Sequence, residues 1–373
     1  MTAEAIFLFG TLCHAPLRAR VLGQEVPFQP AECADASACT WLGAALAMLS
    51  PGPGGTLQGI CLRDLPPEAA ARLAYYAESQ GLRARTLEIS CGADRLQALA
   101  FDAPTGTAPG GPWDHAAWTE RCASLAVAAV DEVMLGLGMR PAAVNARRRR
   151  LILARAAARL RAAEPAPTTL RRPTTPDDFD ERRRHQPYAN FFAVEEYDFR
   201  HRRFDGSWSE EMNRAAFLSG DAATVLPYDA ARDAVLLIEQ FRVGPYARGD
   251  SECWSVEAIA GLVDPGETPE QTARREAVEE AGVTLGRLHR VYGYYSSPGA
   301  KAEFLYSYVG EADLHAGAGG LGGLAAEGED IRAHVVPFDR AMALLDSGEI
   351  ANAPLILTLL WLARNRDRLR AAA

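Results

Sequence analysis

Three glutamates, Glu276, Glu279 and Glu280, stand at spacings of three and four residues in the run Thr268–Gly282. On a helix those spacings place all three carboxylates on one face. Three like charges on adjacent turns repel, and a divalent cation relieves that repulsion. Hard oxygen donors favour Mg²⁺, with Mn²⁺ as a substitute, over zinc. The chemistry such residues support is the binding of a divalent metal ion. A bare acidic trio is more often a solvated helix face, so the flanking residues decide between the two readings.

The flanks are those of a defined helix. Thr268 is placed to cap it, Pro269 suits its first position, and Gln271 completes a capping box. Gly282 is a fitting C-terminal stop. Before it, Trp254–Ile259 reads as a strand leading into Gly261. Ala223–Tyr228 and Ala234–Gln240 read as a hairpin turning at 229–233, after a strand at Phe191–Phe204. Arg290–Tyr295, Phe304–Gly310 and Arg332–Pro337 read as further strands, and Phe338–Ser347 and Ala353–Arg370 as closing helices. Expected organisation is 1–122, a small mixed α/β domain; 123–184, an arginine-rich helical connector and linker; and 185–373, the domain of the glutamate helix.

The 373 residues suit two ordinary domains, and 48% hydrophobic with 23% charged residues is the balance of a globular protein. A net charge of −9 argues against nucleic acid as a general partner. Between 140 and 184, however, thirteen arginines face five acidic residues, and Arg147–Arg150 are consecutive. The reading favoured for them is a solvated helix face and linker. Lys301 is the single lysine. Seven cysteines with no CxxC spacing suggest reduced thiols and a cytoplasmic chain. No apolar run reaches the length of a membrane span.

In the first domain, residues 4–12 read as a buried strand closed by Gly10, followed by a helix at Pro16–Leu22. Residues 41–49 and Leu57–Leu62 read as strands separated by the turn cluster Pro51–Gly55. Pro66–Gln80 reads as a helix, Arg85–Ile89 as a strand and 101–125 as loop. Trp113, Asp114, His115 and Trp118, within that loop, are taken as ordinary packing. Two helices broken near Gly136–Pro141 fill 124–163, and 165–178 reads as linker.

The 23 residues Gly261–Val283 carry Gly261, Glu267, Arg275, Glu276, Glu279, Glu280, Gly282 and Val283 in the order G-x5-E-x7-R-E-U-x-E-E-x-G-U. This resembles the signature of the Nudix hydrolases, with Ala277 small where a larger apolar residue is usual. The lead-in Glu257–Gly261, the Ser296–Gly299 segment with its proline sixteen residues after Gly282, and the runs Ile238–Arg242 and Glu327–Ile331 resemble the ADP-ribose pyrophosphatase group. The resemblance implies an α/β/α sandwich with a mixed sheet, cleaving ADP-ribose to AMP and ribose 5-phosphate. It implies that Glu276, Glu279, Glu280 and the Ala260 carbonyl hold Mg²⁺. Arg242, Glu257 and Glu303 would line the substrate, and Glu327 or Glu329 would act on the attacking water from a glycine-rich loop. Gly261, Glu267, Arg275 and Gly282 would be structural. A homodimer is implied, with Arg202 reaching the partner's substrate.

Phe9-Gly10-Thr11-Leu12 resembles the loop motif of the γ-glutamylcyclotransferase-like fold, which implies a small barrel. Ala77 stands where that family has its catalytic glutamate, and Glu78 follows one residue later, about 100° around the helix. A retained fold used for binding is favoured there over catalysis. The competing functions are GDP-mannose or another nucleoside diphosphate sugar as substrate, a γ-glutamyl cyclotransferase, and a nucleotide sensor.

Overall fold

The computed structural model describes residues 5–41, 44–315, 319–324 and 328–371. By internal contacts the chain divides into two units, residues 1–215 and 216–373.

The first unit opens with β1 (Ala5–Leu8), buried on both faces, and a short turn of 3-10 helix, Gly10–Cys13. Then come α1 (Ala15–Leu22), β2 (Gln29–Trp41), β3 (Leu46–Arg63), α2 (Pro67–Ser79), β4 (Arg83–Cys91), β5 (Asp94–Asp102) and β6 (Pro109–Pro112). The strand order is β3-β1-β5-β4-β2-β6, and β3 also pairs with β2. That extra pairing closes β1–β5 into a barrel, which leaves those strands without free edges. Phe7 and Phe9 point into the barrel with Cys33, Leu57 and Ile89. Ile6 and Leu8 point outward onto α1 and α2. Burial on both faces explains why β1 has no polar alternation.

Three expectations for this region are corrected. Residues 41–49 are not one strand; the chain reverses there between β2 and β3. Pro51–Gly55 is not a boundary but lies inside β3, where Pro51 pairs with Ala36 and Thr56 with Ala34. The intervening residues bulge opposite Asp35, whose carboxylate accepts the Gly54 N–H at 2.9 Å. Residues 101–125 are not loop throughout, because α3 (His115–Met134) begins there, with Asp114 capping it through the Ala117 N–H. Trp118 is buried and meets the rings of Trp113, His115 and His14, which agrees with a packing role.

α4 (Ala142–Arg147) and α5 (Arg149–Ala162) follow the expected break. The arginines here are not all on a solvated face. Arg155 and Arg148 are buried and converge on Glu132 of α3, with Arg155 Nη2 2.6 Å and Arg148 Nη2 3.4 Å from its carboxylate. Arg159 Nη2 donates at 3.0 Å to buried Glu195. Glu195 sits on β8 (Ala193–His201), which lies between β7 (Phe179–Ala189) and β9 (Met212–Leu218) in a three-stranded sheet. These ties place β7 and β8 with the first unit, so the contact division falls inside β9 and not at 185.

The second unit contains β10 (Ala222–Asp229), β11 (Ala234–Phe241), α6 (Val243–Arg248), β12 (Trp254–Glu257), β13 (Ile259–Leu262) and α7 (Pro269–Ala281). β14 (Leu288–Tyr295), β15 (Phe304–Glu311), β16 (Gly320–Gly322), β17 (Ile331–Pro337), α8 (Phe338–Ser347) and α9 (Ala353–Ala371) complete it. The sheet runs β14-β15-β10-β11-β17-β16, with β12 on β11 and β13 on β10. β10 and β15 are parallel and the other pairs antiparallel, so the sheet is mixed. Ala273 and Ala277 of α7 pack on one face with Val225, Leu236 and Ile238. Leu355, Leu359 and Leu362 of α9 pack on the other with Leu226, Val235 and Leu237. This is the expected α/β/α sandwich. Close packing on Val225 and Ile238 accounts for the small Ala277, which is fully buried. No described helix is long and apolar enough to cross a membrane.

Removing Glu132 would leave buried guanidinium groups without their counter-charge. Glu132→Ala is expected to destabilise the chain by about 3–5 kcal/mol, read as an earlier transition in urea. A variant as stable as the parent would show that the network does not hold α3 to α5.

Candidate active site

The site is built on α7. The Thr268 side chain accepts the Gln271 N–H at 3.2 Å, and the Gln271 side chain accepts the Thr268 N–H at 2.8 Å. Gly282 ends the helix in the left-handed conformation at φ 64°. The helix register is therefore set at both ends by local chemistry.

Glu276 and Glu280 face the sheet and are buried, whereas Glu279 is half-buried. Glu280 Oε2 accepts the Ala260 N–H at 3.2 Å. A Cβ on Gly261 would lie 1.8 Å from Glu276 Oε1, so only glycine lets that carboxylate reach β13. Arg275 binds Glu267 through Nε and Nη2, both at 3.0 Å, and reaches Glu276 at 2.6 Å and Glu279 at 2.9 Å through Nη1. Its bond to Glu267 raises the Arg275 pKa and lowers that of Glu267. The expected brace is present, and it also reaches two carboxylates of the trio, which sequence reasoning missed.

Burial pushes Glu276 up to about 7, against the pull of Arg275 and with Glu279 and Glu329 adding to it. Burial pushes Glu280 up to about 8, with Glu276 and Glu329 adding and the Ala260 N–H and Arg242 opposing. Glu329 therefore lies within electrostatic reach of the pair. Its own Oε2 accepts the Leu324 N–H at 3.0 Å. Glu327, the alternative water-activating residue, lies outside the described residues, as does part of the glycine-rich run 317–323.

Arg242 forks onto Glu257 with contacts of 3.1 and 2.7 Å. Burial works against the Arg242 cation, but Glu257, Glu280 and Glu329 more than offset it and raise its pKa. Glu303 is held by Ser219 Oγ at 3.0 Å, Ser296 Oγ at 3.1 Å and Lys301 Nζ at 2.7 Å. Sequence reasoning gave Lys301 no role, and its place two residues before Glu303 was the available signal. Arg202 belongs to the first unit, stacked over Trp208 at 4.2 Å with Nη1 donating to the Gly206 carbonyl.

Among the described residues, no three acidic, histidine or cysteine side chains already converge as a coordination shell. The donor set nonetheless fits a hard divalent cation. Two buried carboxylates, raised in pKa by that burial, share their surroundings with a third.

In the first unit, Phe9 and Leu12 are core residues, and Thr11 borders a cavity. Gly10 has φ 59°, and a Cβ there would lie 2.1 Å from that of Ala47. Glu78 is exposed while Ala77 faces the core, so the structure does not bring Glu78 to the Gly10–Leu12 turn.

Comparison with known proteins places this geometry in a family. The family described as "NUDIX domain" matches residues 218–359. The ADP-ribose pyrophosphatase of Escherichia coli K12 is 42% identical over 183 residues, 49% of this chain and 87% of that protein. The ADP-ribose pyrophosphatase of Haemophilus influenzae is 37% identical over 185 residues, 49% of this chain and 85% of that protein. The GDP-mannose pyrophosphatase of Pectobacterium atrosepticum is 34% identical over 172 residues, 46% of this chain and 86% of that protein. A solved structure described as an ADP compounds hydrolase aligns with a TM-score of 0.41 and 19% identity, over 53% of this chain and all of that one. The 183 residues matched by the Escherichia coli relative exceed what 216–373 contains, so that likeness extends into the residues before 216.

In the unfolded chain the glutamate carboxyls titrate near about 4.3. Folded, Glu276 and Glu280 titrate near about 7 and about 8. Their stabilising contribution is complete below the unfolded value and is lost as pH rises through 7 to 8. In EDTA the melting temperature is expected to fall between pH 6 and pH 9, and less steeply in Glu280→Gln. Identical slopes in the two proteins would refute this account of the pair.

Proposed function

This chain belongs to the Nudix family, and we propose that it hydrolyses the diphosphate of ADP-ribose to AMP and ribose 5-phosphate. At the level of class it is a nucleoside diphosphate sugar pyrophosphatase. The observation that carries the finer reading is the buried pair Glu276 and Glu280, with Glu329 and the Arg242–Glu257 fork in electrostatic reach of it. Such a cluster binds a polyanion only together with cations, which is the condition of a metal-dependent diphosphate site.

Glu276, Glu279 and Glu280 would hold Mg²⁺ or Mn²⁺, joined by the Ala260 carbonyl. The bound cation would supply charge neutralisation and a water of lowered pKa. Arg242, with two guanidinium N–H groups committed to Glu257, keeps others for a phosphate oxygen. Glu257 fixes the direction of that donor. Glu329 is the acceptor for the proton of the attacking water, a role it shares or exchanges with Glu327. Glu303, anchored by Ser219, Ser296 and Lys301, presents carboxylate oxygen to the ribose hydroxyls. Holding water and phosphorus in line supplies most of the rate in such a reaction. A homodimer, with Arg202 offered to the partner's substrate, completes the proposal. The similarity to a GDP-mannose pyrophosphatase makes that sugar nucleotide the second substrate to test.

With Mg²⁺ present, AMP is expected to appear faster from ADP-ribose than GMP from GDP-mannose, and EDTA should stop both. Faster release of GMP would move the assignment to GDP-mannose. Glu280→Gln is expected to lower kcat by about 100-fold or more while leaving the far-UV circular dichroism unchanged. Turnover near that of the parent would remove Glu280 from the chemistry.

A further inference from the structure

The first unit holds a partly open cavity of about 70 Å³ between α2, α3 and α5. Most of its wall is apolar, with Leu17, Trp118 and Ile152 contributing. Of the polar side chains in that wall, three keep hydrogen-bonding capacity that no described residue uses. The hydroxyls of Thr11 and Tyr76 border the cavity on residues 6% and 4% exposed. Neither hydroxyl has a hydrogen-bond partner among the described residues. Two hydroxyl-bearing residues without a protein partner at one cavity mark a place for a polar guest.

The third group is Arg149, at the start of α5. Its Nε donates to Gln80 Oε1 at 3.0 Å and its Nη2 to the Ala44 carbonyl at 2.7 Å. Both acceptors are neutral. No carboxylate pairs with Arg149 among the described residues, and burial depresses its pKa. Arg148 and Arg155 on the same stretch of chain are matched by Glu132. A guanidinium carries five donors, and those on Arg149 Nη1 are uncommitted. Arg149 itself is half-buried; water would satisfy the hydroxyls, but only an anion would match its charge as well.

We infer that this cavity binds a small carboxylate with a short apolar body, its charged end set between Arg149 and the Tyr76 hydroxyl. Size restricts the guest. One water needs about 10–15 Å³ on this scale, and about 150 Å³ accommodates benzene, so the room here suits roughly three to five non-hydrogen atoms. The apolar wall takes the methyl or ethyl group, and the planar guanidinium matches a carboxylate in geometry.

The test is calorimetric titration of the full-length chain with acetate and propionate, beside acetamide and propionamide, at constant ionic strength. Saturable binding of the carboxylates is expected, with the amides at least about tenfold weaker, the weight of one charge-assisted hydrogen bond. Arg149→Gln should weaken propionate by a similar factor, and Tyr76→Phe by a smaller one. If Arg149→Gln does not fold, Tyr76→Phe decides, because it removes one oxygen and leaves the cavity wall intact. Equal binding of amides and carboxylates, no saturable binding, or unchanged affinity in Tyr76→Phe would each overturn the assignment and leave the cavity to water.

Discussion

The approach of Glu276 to β13 is the constraint on which the second unit's site depends. Its carboxylate oxygen occupies space that any Cβ at Gly261 would need. The helix and the strand can meet there only if the strand offers bare backbone. Once they meet, the next turn brings Glu280 to the Ala260 N–H, and Arg275 on the same helix falls within reach of Glu267 in the preceding loop. A second close approach lies at the far end of α7. A Cβ on Gly322 would sit 2.0 Å from the Glu280 carbonyl oxygen, so β16 also passes the helix on bare backbone. Two glycines thus bracket the carboxylates, one before the helix in sequence and one well after it.

The electrostatics follow from that packing. Drawing two carboxylates out of water costs free energy, and the fold compensates only in part, through Arg275 and Arg242. The remainder appears as proton affinity near neutral pH. A protein selected for stability alone would have no reason to keep two such groups together. The unmatched charge is what a cation-dependent site requires, and Arg275 limits it by holding Glu276 and Glu279 until something stronger competes.

The glutamate trio, its caps and the closing helices were legible because their signals are local: spacings of three and four, a Thr-Pro start and a glycine stop. The strands of the sandwich were legible for a similar reason, as short β-rich runs between turn residues. What escaped depends on partners distant in sequence. Ser219 meets Glu303 across 84 residues, and nothing near either residue announces the other. The Pro51–Gly55 cluster carries every mark of a turn, yet barrel closure turns it into a bulge within β3, where Gly55 must pass the Ala36 carbonyl closely. β2 and β5 also escaped. β2 has little apolar alternation of its own, and its burial is supplied by pairing on both sides.

The arginine-rich connector shows how composition misleads. Thirteen arginines against five acids read as a solvated stretch because the acid that matters, Glu132, stands outside it, in the apolar run of α3. A glutamate at the end of an alanine- and valine-rich run was the available signal. Arg148, Arg155 and Arg159 recur at seven and four residues, the spacing of one helical face, and that face turns inward. Buried ion pairs of this kind add little net stability but penalise every arrangement that separates them. Here the penalty falls on any structure that detaches β8 from α5, since the Arg159–Glu195 ion pair would be broken. Likeness to the relatives and cohesion by contact therefore divide this chain at different places. The shared sequence reaches back before residue 216, whereas the contacts hold those residues to the helices of the first unit. A flexible tether between separate domains would not need charges sequestered in its interior, and the connector is accordingly a structural part of the first unit.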